Sequence, residues 1–181
     1  MDDAHRLVPC VFAGDPGADG AWHVAGGGNH AFMWSHDGRH LLACGSSRDG
    51  ELGLGAAGGA PLTAWTPAVL PAAGVRQVAC GWNHTLLLDG QGCVWAAGSN
   101  SFGQLGHPPA QSGIAPSPGV WTQVVPDAAV DARPPAFIAV ACGMRHSLAV
   151  SADGAVYSWG ANRSGQLGLA PDRKAPNIPG M

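Results

Sequence analysis

Lysine is almost missing from this chain of 181 residues: Lys174 is the single one, and only 12% of the residues are charged. General nucleic-acid binders carry clustered Lys and Arg that track phosphates, so no direct nucleic-acid binding is expected. Long apolar runs are lacking too. Nothing approaches the ~20 residues that a membrane helix needs, and the N-terminus has neither the basic nor the apolar region of a signal peptide. No two cysteines stand as C-x-x-C, and their total of five (Cys10, Cys44, Cys80, Cys93, Cys142) is odd. That suits free thiols in a reducing compartment better than a disulfide scaffold. The expectation is an intracellular protein, cytoplasmic or nuclear, without membrane association. The net charge of -3 resides in residues 1-25, where Asp2, Asp3, Asp15 and Asp19 stand against Arg6 alone.

What the chain does have is glycine and proline, 28 and 15 of them, with apolar residues in short runs. Many short strands joined by turns follow from that composition. Gly plus Pro nears the level of low-complexity disorder, yet seven Trp and a 46% hydrophobic content argue for burial and a folded domain.

One unit is written three times, at Ala25 to Gly53, Ala79 to Gly106 and Ala141 to Gly168. The last two copies align without a gap at an offset of 62, with 13 of 28 positions identical. The first is more diverged and carries one extra residue between Gly38 and Gly45, but Val24, Val78 and Val140 each stand six residues before the unit's histidine. A fixed-period repeat is a supersecondary unit that cannot bury its apolar face alone, so the fold is a stack or a ring.

Within one unit, Val75 to Ala79 reads as a strand entering a tight loop at Cys80-Gly81, and Thr85-Leu86-Leu87-Leu88 as a buried strand. Gly92 turns the chain, as Asp37-Gly38 and Asp153-Gly154 do elsewhere, and Cys93 to Ala97 returns as a hairpin partner. Thr66 to Leu70 and Trp121 to Val125 add further strands, giving about four per unit, as in a propeller blade. The predicted organisation is an acidic segment or partial unit at 1-20, units at 21-55, 56-106 and 120-168, a Pro-rich loop at 107-119, and a tail or further unit begun at 169-181. Asp127 to Ala136 is expected to loop out.

Gly143-Met144-Arg145-His146-Ser147-Leu148, Gly154-Ala155-Val156-Tyr157-Ser158-Trp159-Gly160 and Asn162-Arg163-Ser164-Gly165-Gln166-Leu167-Gly168 together resemble the repeat of the regulator of chromosome condensation family. The likeness covers residues 21-168, nearly the whole chain. It implies an all-β propeller of four-stranded antiparallel blades, usually of seven repeats. It also implies a role as a guanine-nucleotide exchange factor for a Ran-type GTPase or as a non-catalytic interaction platform. Three units cannot close a seven-bladed ring. Either the chain is a piece of a larger propeller, the favoured reading, or it joins other chains; open ends expose apolar edges.

Ordinary catalysis finds little support. Cys80 and Cys142 stand four residues before His84 and His146, a spacing that admits a nucleophile and base. Gly26 in the first copy shows, however, that the slot wants a small residue, and a buried apolar Cys explains it. His23, His30, His36 and His40 cluster in sequence, but only His30 has counterparts in the later units, so no metal site is expected. Gly26-Gly27-Gly28 and Gly98 to Gly106 lack the Lys-[Ser/Thr] of a phosphate loop. No cofactor is expected. His30, His84 and His146 are read as bonding to backbone within their own loops. In exchange factors that loop also lies on the face that meets the GTPase. Asn29, His30, Trp82, Asn83, His84, Met144, Arg145 and His146 are therefore the candidate partner-contact residues, Trp82 foremost as an aromatic at a variable loop position. The sequence thus reads as an interaction module with a protein partner; exchange on a Ran-type GTPase is the alternative, disfavoured by the repeat number and by the lack of a recognisable hairpin wedge.

Overall fold

The computed structural model describes residues 20-55, 59-72, 74-107, 119-126 and 134-170. Eleven strands and no helix lie among them, so no helix is long and apolar enough to cross a membrane. The strands are β1 (Trp22–Gly26), β2 (His30–Ser35), β3 (Leu41–Gly45), β4 (Leu62–Pro67), β5 (Val75–Cys80), β6 (His84–Asp89), β7 (Val94–Gly98), β8 (Thr122–Gln123), β9 (Phe137–Cys142), β10 (His146–Ser151) and β11 (Val156–Gly160). They form antiparallel sheets in simple chain order: β1-β4, β5-β8 and β9-β11.

The sheets stack like blades, the first strand of each packing on the first two strands of the one before. The middle sheet therefore has both faces covered. This explains the run Leu86-Leu87-Leu88, which shows no alternation of apolar and polar residues. Leu87 enters a core with Phe32, Trp34, Leu41 and Trp121 of one junction, whereas Leu86 and Leu88 enter the other with Phe137, Val140 and Ala149. In β10 only one face is covered, so Ser147, Ala149 and Ser151 are buried and the residues between them are not.

Val75 and Val78 face the same core although they are three positions apart, because the β5-β6 pairing shifts register between Val75 and Gln77. A bulge of this kind turns one residue out of the alternation. Phe137 and Val140 repeat the arrangement in β9. The extra residue of the first unit is absorbed in its hairpin turn. Ser35 bonds to His40 there, where Asp89 bonds to Cys93 and Ser151 to Ala155, and the strand register is untouched.

Sheet membership differs from the predicted unit boundaries. β4 lies in the predicted second unit and β8 in the third, yet each closes the preceding sheet. The Thr66 and Trp121 strands are real, but β4 begins earlier than expected and β8 is only two residues long. A fourth strand in the third sheet is absent among the described residues. Residues 1-19, most of the 107-119 loop, part of 127-136 and residues 171-181 lie outside the description.

Candidate functional site

The G-x-x-H loops sit between the first and second strand of each sheet. Gly27, Gly81 and Gly143 donate their N–H to the carbonyls of His30, His84 and His146 at 2.9, 2.8 and 2.9 Å. Glycine is needed for room: a Cβ on Gly81 would overlap the ring of His84, and one on Gly143 that of His146. The third strand ends at Gly45, Gly98 or Gly160, all at positive φ, and a Cβ on Gly98 would strike the carbonyl of Asn83. Ser46, Ser99 and Ala161 then bond back to the carbonyls of Asn29, Asn83 and Arg145 at 2.8, 2.8 and 2.9 Å.

The imidazoles do not bond to backbone in their own loops, contrary to the sequence reading. His30 Nε2 meets Thr85 Oγ1 at 2.8 Å, and His84 Nε2 meets Ser147 Oγ at 3.1 Å, each in the next sheet. Thr85 donates its hydroxyl proton to the Glu51 carbonyl at 2.7 Å, and Ser147 donates to the Gln104 carbonyl at 2.8 Å. Their oxygens must therefore accept from the rings, which fixes both histidines as the neutral Nε2–H tautomer. Each buried Nδ1 is left bare and unpartnered. Protonation there would place a donor in a dry site with no acceptor. Burial accordingly pushes His84 down to about 4, helped by His30 and His146 and opposed by a backbone contact. His30 is lowered by burial, with Glu51 opposing.

These relays pin sheet to sheet, and they take two candidate residues out of the surface: His30 is 4% exposed and His84 is fully buried. A buried ring cannot meet a partner, so both are corrected to framework. His146 is half-buried, with no described sheet beyond it to supply a hydroxyl.

The other five candidates stay together. Asn29, Trp82, Asn83, Met144 and Arg145 line a cleft of about 360 Å³ that runs across all three sheets. Its walls are built by repetition. The residues before His84 and His146 reach the turn that follows the third strand of the preceding sheet: Asn83 donates to Asp49 Oδ2 at 2.7 Å, and the Arg145 guanidinium lies 4.8 Å from the Phe102 ring centroid. Trp82 N–H donates to the Met144 carbonyl at 3.1 Å, setting two exposed apolar side chains side by side. Partial burial, with Glu51 nearby, raises the Asp49 carboxyl. Sequence reasoning missed Asp49 and Phe102. They share a position, held by Ser164 in the third unit, that varies just before the turn's fixed glycine, a signal of the kind that singled out Trp82. It also missed Thr85 and Ser147, although the hydroxyl after the histidine is part of the motif and only the first unit, with Ala31, lacks it.

The turns themselves are held by the motif residues. Asn100 Oδ1 accepts from Leu105 N–H at 3.0 Å, and Asn162 accepts from Leu167 at 3.1 Å. Gln104 and Gln166 fold back to accept from Phe102 and Ser164, both at 2.8 Å. Those glycine-rich segments are thus turns whose polar groups are satisfied internally.

Cys80 and Cys142 occupy equivalent places. Their thiols donate to the carbonyls of Ala25 and Ala79 of the preceding sheet at 3.8 and 3.3 Å. The residues are half-buried overall, but the sulfurs are desolvated, and burial pushes Cys80 up to about 12 and Cys142 upward as well. A thiol so raised supplies no thiolate nucleophile near neutrality. The four clustered histidines are separated: His23 and His36 meet at the opposite end of the first sheet, and His30 is sealed in its relay.

A family model described as "Regulator of chromosome condensation (RCC1) repeat" matches residues 39–88 and 91–150, and a second of the same description matches 75–104 and 137–166. The secretion-regulating guanine nucleotide exchange factor of Mus musculus is 39% identical over 162 residues, covering 84% of this chain and 31% of that protein. The ultraviolet-B receptor of Arabidopsis thaliana is 31% identical over 150 residues, covering 81% of this chain and 30% of that protein. The yeast RCC1 protein (Prp20), solved bound to Kap60, superposes with a TM-score of 0.70 at 26% identity over 87% of this chain and 36% of that one. The chain spans about a third of the length of the curated relatives it matches.

Proposed function

The chain belongs to the regulator of chromosome condensation (RCC1) repeat family, and on that premise we propose that it is a non-catalytic interaction module of a partial β-propeller. Its contact surface for a protein partner is the cleft face of the G-x-x-H loops. One observation carries this reading: the residues that vary between the matching loops of the second and third units, Trp82 with Met144 and Asn83 with Arg145, converge on one cleft, whereas His30 and His84 are occupied with structure. Invariant positions build the scaffold and variable ones are free to specify a partner. Aromatic, Met and Arg side chains are the types enriched in interface cores. The proposed setting is intracellular, in keeping with an odd number of cysteines and no C-x-x-C pair in the sequence.

The test compares partners captured from cell extract by the wild-type chain, by the Trp82→Ala/Asn83→Ala/Met144→Ala/Arg145→Ala variant, and by Arg39→Ala at the far end of the first sheet. A direct partner, confirmed with purified proteins, is expected to lose at least about tenfold in affinity with the cleft variant, as interface hot spots do, and nothing with Arg39→Ala. Equal binding by all three sinks the proposal. The name of the murine relative favours a second reading, guanine-nucleotide exchange, with the Ran-type GTPase that the family resemblance implies as its substrate. Little acceleration of labelled GDP release from such a GTPase is expected. Robust release that the cleft variant loses while keeping its fold would put exchange in place of the module.

A further inference from the structure

The end of the first sheet opposite the cleft carries a feature outside the repeat. His23 on β1 lies across from Trp34 on β2, and its ring stacks on that indole with centroids 5.3 Å apart. His36, just beyond β2, comes back beside it, with His23 Nε2 and His36 Nδ1 3.2 Å apart. Both histidines are exposed. The equivalent positions in the other units hold Gln77 and Ala139 for His23, and Gly90 and Ala152 for His36, so the framework does not call for this pair. Gln77 instead holds the next sheet, its side chain bonding to the backbone of Val140 at 2.9 and 3.1 Å. His23 is released from that duty.

We propose that His23 Nε2 and His36 Nδ1 form a two-imidazole site for a borderline divalent transition metal, taking Cu(II) ahead of Zn(II) or Ni(II). The spacing is that of a chelate: two nitrogens bound at about 2.05 Å stand roughly 2.9 Å apart when cis on a tetragonal ion such as Cu(II) and roughly 3.3 Å apart on a tetrahedral one, and the observed 3.2 Å lies between. In the free protein one of the two facing nitrogens donates to the other, so binding moves that ring's proton through solvent to its outward nitrogen. With both protons outward, on Nδ1 of His23 and Nε2 of His36, a small rotation of exposed side chains turns both lone pairs onto a common point. The stack on Trp34, itself buried, holds the His23 ring in place. Asp37 is committed elsewhere, to Ser35 and to the amide of Arg39, with the Arg39 guanidinium 3.9 Å away. Among the described residues no third His, Cys, Asp or Glu joins the pair. The ion therefore keeps open positions for water. Imidazole pairs rank divalent ions with Cu(II) at the top, and both rings must be neutral, so acid releases the metal.

The experiment titrates the full chain with Cu(II) against a weak competing chelator and records the electron paramagnetic resonance spectrum. One ion bound through two imidazole nitrogens is expected. His23→Ala or His36→Ala should each weaken that binding by at least about tenfold, the least that loss of even an outer-shell partner costs, while His40→Ala in the same turn leaves it unchanged. His23→Gln, which keeps a side chain over Trp34, repeats the comparison should the alanine disturb the hairpin. Undiminished binding in the His23 and His36 variants, a spectrum with a single imidazole, or no binding by the wild-type chain overturns the proposal.

Discussion

The hydroxyls that follow His84 and His146 decide more than the histidines themselves. Thr85 and Ser147 accept from one sheet's ring and donate back to that same sheet. Losing the Thr85 hydroxyl leaves the His30 ring and the Glu51 carbonyl unpaired, at a cost of about 1–3 kcal/mol each, whereas losing that of Ser147 strands the His84 ring alone, since the Gln104 carbonyl keeps the Trp159 indole N–H. The relays also make stability depend on pH. Unfolded histidine titrates near 6.5, while folded His84 sits at about 4 and His30 is lowered too. The folded state thus binds fewer protons than the unfolded one between those values, and stability, fully present above 6.5, declines as pH falls toward 4. The slope approaches about 1.4 kcal/mol per pH unit for His84, and His30 adds to it in the same direction. Urea unfolding at pH 7.5, 6 and 5 should show this decline, and His84→Gln should be less stable at pH 7.5 yet flatter with pH. An unchanged slope would remove His84 from the account. Asp37 and Asp153, held low first by their serine hydroxyls, act only below this window. Asp49, raised by partial burial, acts in the opposite sense as acid is added.

At the scale of strands and sheets, the repeat in sequence and the sheet in space are out of phase. The matched repeats 39–88 and 91–150 each start before the third strand of one sheet and end in the second strand of the next. Every repeat therefore stitches two sheets together along the chain, and the relays do the same across the junction. β6, covered on both faces, should be the most stable element. Leu87→Ala, at 1% exposure, should cost about 2–5 kcal/mol. Val156→Ala on β11, at 70% exposure, should fall within about 0.5 kcal/mol of wild type. Hydrogen exchange offers a parallel check, with β6 amides expected to be the slowest and β11 amides among the fastest. Equal protection of the two strands would mean that β11 has cover not seen among the described residues.

For the whole molecule, the consequence lies at the outer faces of the stack. β11 pairs only with β10 among the described strands, Val156 is exposed beside it, and Val24 of β1 is 73% exposed at the other end. Unpaired strand edges and bare apolar side chains recruit further chain. We expect the 181-residue chain to sediment as oligomers or larger species whose proportion rises with concentration. A sharp monomer with cooperative unfolding would show that these faces are adequately solvated.

The sequence by itself determined the repeat, the strands, the turns and hence the blade, because hairpin register and turn glycines depend on neighbours a few residues away. It also marked the position of Trp82 and Met144 as variable in a fixed loop, and the family resemblance added Asn83 and Arg145 as contact candidates; the cleft that these residues line lies where those loops come together. Only the tertiary structure decided where the histidine rings point. Their partners are 55 and 63 residues along the chain, and no local pattern records a contact at that distance. The same holds for β4, whose sequence suits a strand but whose sheet is chosen by the open edge of β3. His23 and His36 met for a related reason: cross-strand pairing brought together two residues that sequence spacing alone had left among four equivalent histidines.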